Sequence, residues 1–163
     1  MASIPKSKLD QVVKKIARKL SSKQYAIRGT ASVFLQGFDM GVDDIDVIGN
    51  KETVLFCNQA FRNSLIDKVS YKKSEKFKSY FGKFEIGGVP VEVYGDWQIK
   101  DAKGKWSEIF DASIDEVNTV SVVGLEVKVT KIETELKMFS LMSRWSAYWK
   151  LKRQADNRQT RLM

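Results

Sequence analysis

The feature that most narrows what this chain can become is the run Asp44-Ile45-Asp46-Val47-Ile48, where two carboxylates alternate with residues suited to a hydrophobic core. Side chains two apart on a strand point the same way. Ile45 and Val47 therefore turn inward while Asp44 and Asp46 converge on the other face. Carboxylates held side by side repel, and a hard divalent cation such as Mg2+ is the usual compensation. Upstream, Gly29-Thr30 closes a short apolar strand and opens a helix. Glycine there permits a tight turn and the close approach of a phosphate, and the hydroxyl residue offers its side chain and backbone N–H groups to that anion. Each half alone is common, and an isolated Asp-x-Asp is often a solvated strand edge. Their order, strand, Gly-Thr, helix, then strand with Asp-x-Asp, lets an anion site and a cation site meet at one end of a sheet.

At 163 residues with 43% hydrophobic content, the chain has enough apolar material for one folded domain. A formal charge of +8 points to polyanionic partners such as nucleotides, RNA or an acidic protein. Histidine is absent, which excludes Ser-His-Asp and Cys-His triads and His-rich zinc sites. Acid–base work falls to carboxylates, Lys, Tyr or water. The lone Cys57 cannot form an internal disulfide, and its neighbours Leu55, Phe56, Ala60 and Phe61 suit a buried structural thiol, so a cytoplasmic setting is expected. No stretch has the character of a signal peptide or the length of a membrane span, so no membrane partner is expected.

Along the chain, Leu9, Val12, Val13, Ile16 and Leu20 recur at helical spacing and define an N-terminal helix within 1–22. Gln24–Arg28 reads as a strand with Tyr25 and Ile27 inward, and a short helix from Thr30 to about Gln36 ends at Gly37. Asn50 caps a helix over 51–64, and a strand follows over 65–71. The basic and aromatic run 72–84 has a composition that could hold phosphates and stack a base. The preferred reading is a loop leading into a strand with Phe81 and Phe84 in the core. Gly87-Gly88 marks a two-residue hairpin, after which Val89, Val91 and Val93 face one way and Pro90, Glu92 and Tyr94 the other. A second hairpin spans 117–129 around Gly124. Thr130 with Glu133 reads as a capping box opening a helix through Ile132, Leu136 and Phe139. The stripe Trp145, Tyr148, Trp149 suits packing or a homodimer face, and the last dozen residues are expected to fray. The architecture is α+β, a mixed, largely antiparallel sheet with helices packed on one face and a C-terminal helical segment.

Gly29-Thr30, thirteen intervening residues, Asp44-Ile45-Asp46, and Glu92 within VPVEVYGD together resemble the small stand-alone nucleotidyltransferases of the DNA polymerase beta-like superfamily. That pattern is a Gly-Ser turn, an Asp-x-Asp about a dozen residues on, and a third carboxylate on a later strand. Thr30 stands here for the commoner Ser and keeps the hydroxyl; Glu92 stands for the commoner Asp and keeps the charge. The match runs from the first strand to Glu92 and more loosely through the last helices.

The resemblance implies a nucleotidyltransferase-like single domain over 1–163, with an N-terminal helix (1–22), a catalytic α/β core (24–129) and a C-terminal helical segment with a basic tail (130–163). It implies transfer of a nucleoside monophosphate (NMP) from a nucleoside triphosphate (NTP) to an acceptor that is RNA, protein or a small molecule. Asp44, Asp46 and Glu92 would be catalytic and hold two Mg2+ or Mn2+ ions, with Asp96 in reserve as third carboxylate. Gly29, Thr30 and Ser32, with Lys137 and Arg144 from the late helix, would bind the nucleotide. The alternative is a non-catalytic nucleotide- or RNA-binding regulatory protein of the same fold, such as the nucleotidyltransferase-like half of a toxin–antitoxin pair with a small helical toxin-like partner.

Overall fold

The computed structural model describes residues 3–162, so residues 1, 2 and 163 of the expected N-terminal and C-terminal segments lie outside the described residues. The apolar stripe of helix α1 (Lys6–Leu20) is buried along its whole length, with Leu9, Val13, Ile16 and Leu20 fully covered. It rests on a seven-stranded sheet made of β1 (Tyr25–Arg28), β2 (Ile45–Gly49), β3 (Leu65–Lys73), β4 (Phe77–Ile86), β5 (Val89–Ile99), β6 (Val117–Val122) and β7 (Leu125–Thr130). The spatial order is β3-β4-β5-β2-β1-β7-β6. The pairs β2/β5 and β1/β7 are parallel, and the other four are antiparallel.

Strand alternation divides the molecule. Ile27, Ile45, Val47, Val91 and Val93 point into the core shared with α1 and with Val54 and Cys57 of α3 (Lys51–Ala60). Asn50 caps α3 by accepting a hydrogen bond from the Thr53 N–H at 2.9 Å. Burial pushes the Cys57 thiol up to about 12, consistent with an inert core cysteine. Ala26 and Ile48 point the other way, where Met138 of α4 (Ile132–Leu141) packs with Trp97 and Phe110. A third cluster joins Val33 of α2 (Gly29–Leu35), Phe139 of α4 and Leu151 of α5 (Trp145–Leu162). Both hairpins turn on consecutive positive-φ residues, Gly87-Gly88 (φ 59°, 79°) and Val123-Gly124 (φ 48°, 80°), the geometry that matches the right-handed twist of paired strands.

Three local expectations change. The Thr130 hydroxyl turns inward to the Ile27 carbonyl at 3.4 Å rather than capping α4, whose N-cap is Lys131. The late helix breaks at Ser143, which adopts φ 58° while the Arg144 N–H donates to the Phe139 carbonyl at 2.8 Å; this six-residue closure ends α4. The final residues continue α5 to Leu162 instead of fraying, aided by Arg158, which donates to the Gln36 and Gly37 carbonyls. Among the described residues no helix is long and apolar enough to cross a membrane.

Candidate active site

Asp44 immediately precedes β2, Asp46 lies within it, and the parallel ladder sets Asp46 beside Glu92 of β5. One carboxylate oxygen from each of the three lies within 4.8 Å of the others. They occupy the wall of a cavity of about 550 Å³ whose other sides include Thr30, Phe77, Phe81, Tyr94 and Arg144. Burial pushes Asp46 up to about 7, and Asp44 and Glu92 push the same way, while Arg28 opposes them. Asp44 is raised by burial and then by Glu92 and Asp43. Tyr94 donates its hydroxyl to Glu92 Oε2 at 3.0 Å, and burial holds that phenol in its protonated form. Three carboxylates gathered at this cost form an oxygen-donor set suited to a hard divalent cation.

Arg28 is the residue that pattern reading missed. Its guanidinium is almost fully buried, with Nη1 3.3 Å from Asp46 Oδ2 and its centre 4.5 Å from the Trp97 ring. Its Nε and Nη2 have no hydrogen-bond partner. The available signal was a cation ending an otherwise apolar strand, Tyr-Ala-Ile-Arg, on the same face as Ala26. Trp97 reaches this face through a bulge: from Lys78 to Tyr80 on β4, the paired positions on β5 run from Gln98 to Gly95, leaving one extra residue. Asp96 has φ 49° there, and its carboxylate turns away to accept from the Lys51 N–H at the start of α3 (3.1 Å). It is therefore absent from the cluster that contains Glu92. Phe81, expected in the core, instead lines the cavity with its ring edge against Tyr94 at 5.2 Å.

The Gly29 turn is built around a second buried carboxylate. Gly29 has φ 72°, and a Cβ on it would lie 3.1 Å from Asp46 Oδ2, so the glycine supplies both the backbone conformation and the space the carboxylate needs. Its N–H donates to Glu135 Oε1 at 2.8 Å, and the same oxygen accepts from the Thr130 hydroxyl. That backbone donor is thus committed inside the protein. Ser32 is fully buried and donates to the Thr130 carbonyl at 2.9 Å, so it does not face the cavity as a phosphate ligand would. Thr30 does line it. Of the two late-helix cations, Lys137 pairs with Glu108 on the surface and does not border the cavity. Arg144 does border it, with its guanidinium 5.4 Å from the Phe139 ring.

The sheet order, the Gly-Thr turn beside the paired aspartates and the third carboxylate on β5 are the fold of the small polymerase beta-like nucleotidyltransferases. A candidate nucleotidyltransferase from Thermotoga maritima superposes with a TM-score of 0.76 at 26% identity, covering 90% of this chain and 92% of that one. The lincosamide antibiotic adenylyltransferase LnuA, in its lincomycin-bound structure, gives 0.57 at 13% identity over 92% and 98% of the two chains. The antibiotic-resistance factor ANT(2'')-Ia gives 0.53 at 16% identity over 83% and 71%. These last two share the fold. No protein-family model and no curated protein matches the sequence.

Proposed function

We propose that this protein is a metal-dependent nucleotidyltransferase moving an NMP from an NTP to an acceptor hydroxyl. The observation that carries this reading is the convergence of Asp44, Asp46 and Glu92 on one cavity. These side chains would hold Mg2+ or Mn2+, which when bound neutralises triphosphate charge and aligns the in-line displacement.

The chain's own residues do the rest. The Thr30 hydroxyl and Arg144, both in the cavity lining, meet the phosphates, and Phe77 and Phe81 offer apolar faces to the base. Glu92, oriented by the Tyr94 hydroxyl, takes the acceptor's proton. The acceptor oxygen forms a bond to the α-phosphorus, the bond from that phosphorus to the α,β-bridging oxygen breaks, and pyrophosphate leaves with the electron pair. Arg28 favours the ionised form of Asp46 against burial and holds the carboxylate in place. The single buried thiol suits a reducing cytoplasm.

One observation favours the regulatory alternative: Trp145 and Trp149 of α5 are about half exposed, at 48% and 51%. Such aromatics suit a helical protein partner or a second copy of this chain. The deciding experiment incubates purified protein with each α-labelled NTP, Mg2+ or Mn2+, and a cell extract. A labelled product made by wild type and not by Asp44→Asn/Asp46→Asn is expected. No label with any NTP would leave the binding role.

A further inference from the structure

At the end of the sheet where β3 stops, β4 starts and β5 stops, three ammonium groups gather on one indole. Lys78 Nζ lies 4.5 Å, Lys100 Nζ 5.3 Å and Lys73 Nζ 6.0 Å from the centre of the Trp106 ring. Trp106 is held there by a bridge to Lys100 and is half-buried, so part of its ring faces solvent. Among the described residues none of these lysines pairs with a carboxylate. Of the acids near this end, Glu75 in the turn between β3 and β4 makes no ion pair among the described residues, and two others are engaged away from the indole. Asp101 accepts from the backbone N–H groups of Lys103 and Lys105, and Glu108 pairs with Lys137.

This cluster is continuous with the active cavity, because Lys73 also lines that cavity. Next to it, Lys72, which pairs with Asp67, lies 5.3 Å from the Phe81 ring and lines the same cavity as Phe77. Cations interleaved with partly open rings match a chain that offers phosphates and π faces together. An acidic peptide does not pair each charge with a π face, whereas every nucleotide does. Lysines, as flexible point charges, suit a backbone followed without base-specific geometry.

From this arrangement, and resting on the transferase reading above, we infer that the acceptor is the end of a single-stranded nucleic acid. Its phosphates lie along Lys73, Lys78 and Lys100, a base stacks on Trp106, and the terminal nucleotide enters the cavity past Lys73, beside the NTP. The terminal sugar hydroxyl is then the oxygen that displaces pyrophosphate.

The test measures fluorescence anisotropy of a labelled oligouridylate and the matching oligothymidylate, about 12 nucleotides long, without NTP and across about 50 to 200 mM KCl. Lys73→Gln/Lys78→Gln/Lys100→Gln keeps most of the aliphatic stems over Trp106. It should weaken binding at least about tenfold at low salt and make the log–log salt slope shallower by about 2, from roughly 0.7 per lost phosphate contact. Trp106→Ala should weaken binding by about five- to tenfold or more with the slope unchanged, the signature of lost stacking. Circular dichroism melts identify variants that fail to fold, and Trp106→Phe, which keeps a ring, should recover most of the affinity. Preference for one of the two oligonucleotides would assign RNA or DNA as the source. Affinity and slope unchanged in the triple variant would overturn the inference, as would displacement by polyglutamate as effective as by polyphosphate. Because this assay contains no NTP, its failure leaves the transferase reading standing. Label transferred equally by wild type and triple variant to a protein or small molecule would likewise remove only the acceptor assignment.

Discussion

Arg28 and Asp46 face each other across the β1/β2 ladder, Nη1 to Oδ2 at 3.3 Å, and each favours in the other the charged state that burial opposes. The pair joins the Gly29 turn to the carboxylate cluster. Arg28→Met keeps the stem against Trp97 and removes the charge. Breaking a buried pair from one side costs about 3 kcal/mol, or roughly 6–12 °C in Tm at 2–4 °C per kcal/mol. Arg28→Met/Asp46→Asn should be more stable than Arg28→Met, as seen in thermal melts. Single and double variants melting together would show that the two groups are not coupled.

The raised Asp46 sets a pH dependence whose sign follows from linkage. Its folded value is about 7 against an ordinary 3.8. Between these limits the folded protein holds a proton that the unfolded chain has lost. The stabilisation is complete below about pH 4 and disappears as pH rises through about 7. Metal-free protein should therefore melt lower at pH 8 than at pH 6, while the Tm rise on adding Mg2+ should be larger at pH 8. Asp44→Asn/Asp46→Asn should flatten both profiles, because it removes the titrating carboxylate and two of the ligands that would hold the ion. An undiminished Mg2+ shift in that variant would place the ion elsewhere.

Glu92 separates binding from transfer. Glu92→Gln keeps the shape and the Tyr94 contact but loses the base. Calorimetry should find Mg-NTP affinity within a few-fold of wild type while the transfer rate falls by about 10²- to 10⁴-fold. Tyr94→Phe removes the hydroxyl that orients Glu92 and should cost less, about tenfold. Wild-type turnover by Glu92→Gln would exclude it as the base.

The Gly29 turn should prove intolerant in two distinct ways. Gly29→Ala places a Cβ against Asp46 at positive φ, so both stability and Mg2+ response should fall, with a loss of at least about 1 kcal/mol. Glu135→Ala strands the Gly29 N–H in the interior and leaves the Thr130 hydroxyl to its Ser32 and Ile27 acceptors, and should cost about 1–3 kcal/mol. Glu135→Gln retains an acceptor oxygen and should recover most of that loss in denaturant melts.

Local patterning was enough for the elements whose evidence is short-range. The period-two pattern of residues 44–48 set the faces of Asp46 and Val47, the helical stripe of residues 9–20 defined α1, and Gly87-Gly88 placed the hairpin that delivers Glu92. In each case the deciding geometry lies within a few residues of backbone, so side-chain type and spacing suffice.

What only the tertiary structure decided depends on registers and on competition between partners far apart in the chain. Arg28 became part of the site because β1 pairs with β2 in the register that opposes it to Asp46, and Trp97 joined it because one extra residue at Asp96 reverses the alternation of β5. Thr130 gave up a local cap for Ile27, Ser32 and Glu135, which withdrew Ser32 from the phosphate side. The positive-φ break at Ser143 precedes Arg144 at the cavity, whereas Lys137, earlier on α4, is held on the surface by Glu108. Sequence thus determined which residues could carry charge and which faces they would share. The sheet order and the satisfaction of buried donors determined which of them meet, because an interior polar group takes whatever partner the packed fold brings within reach.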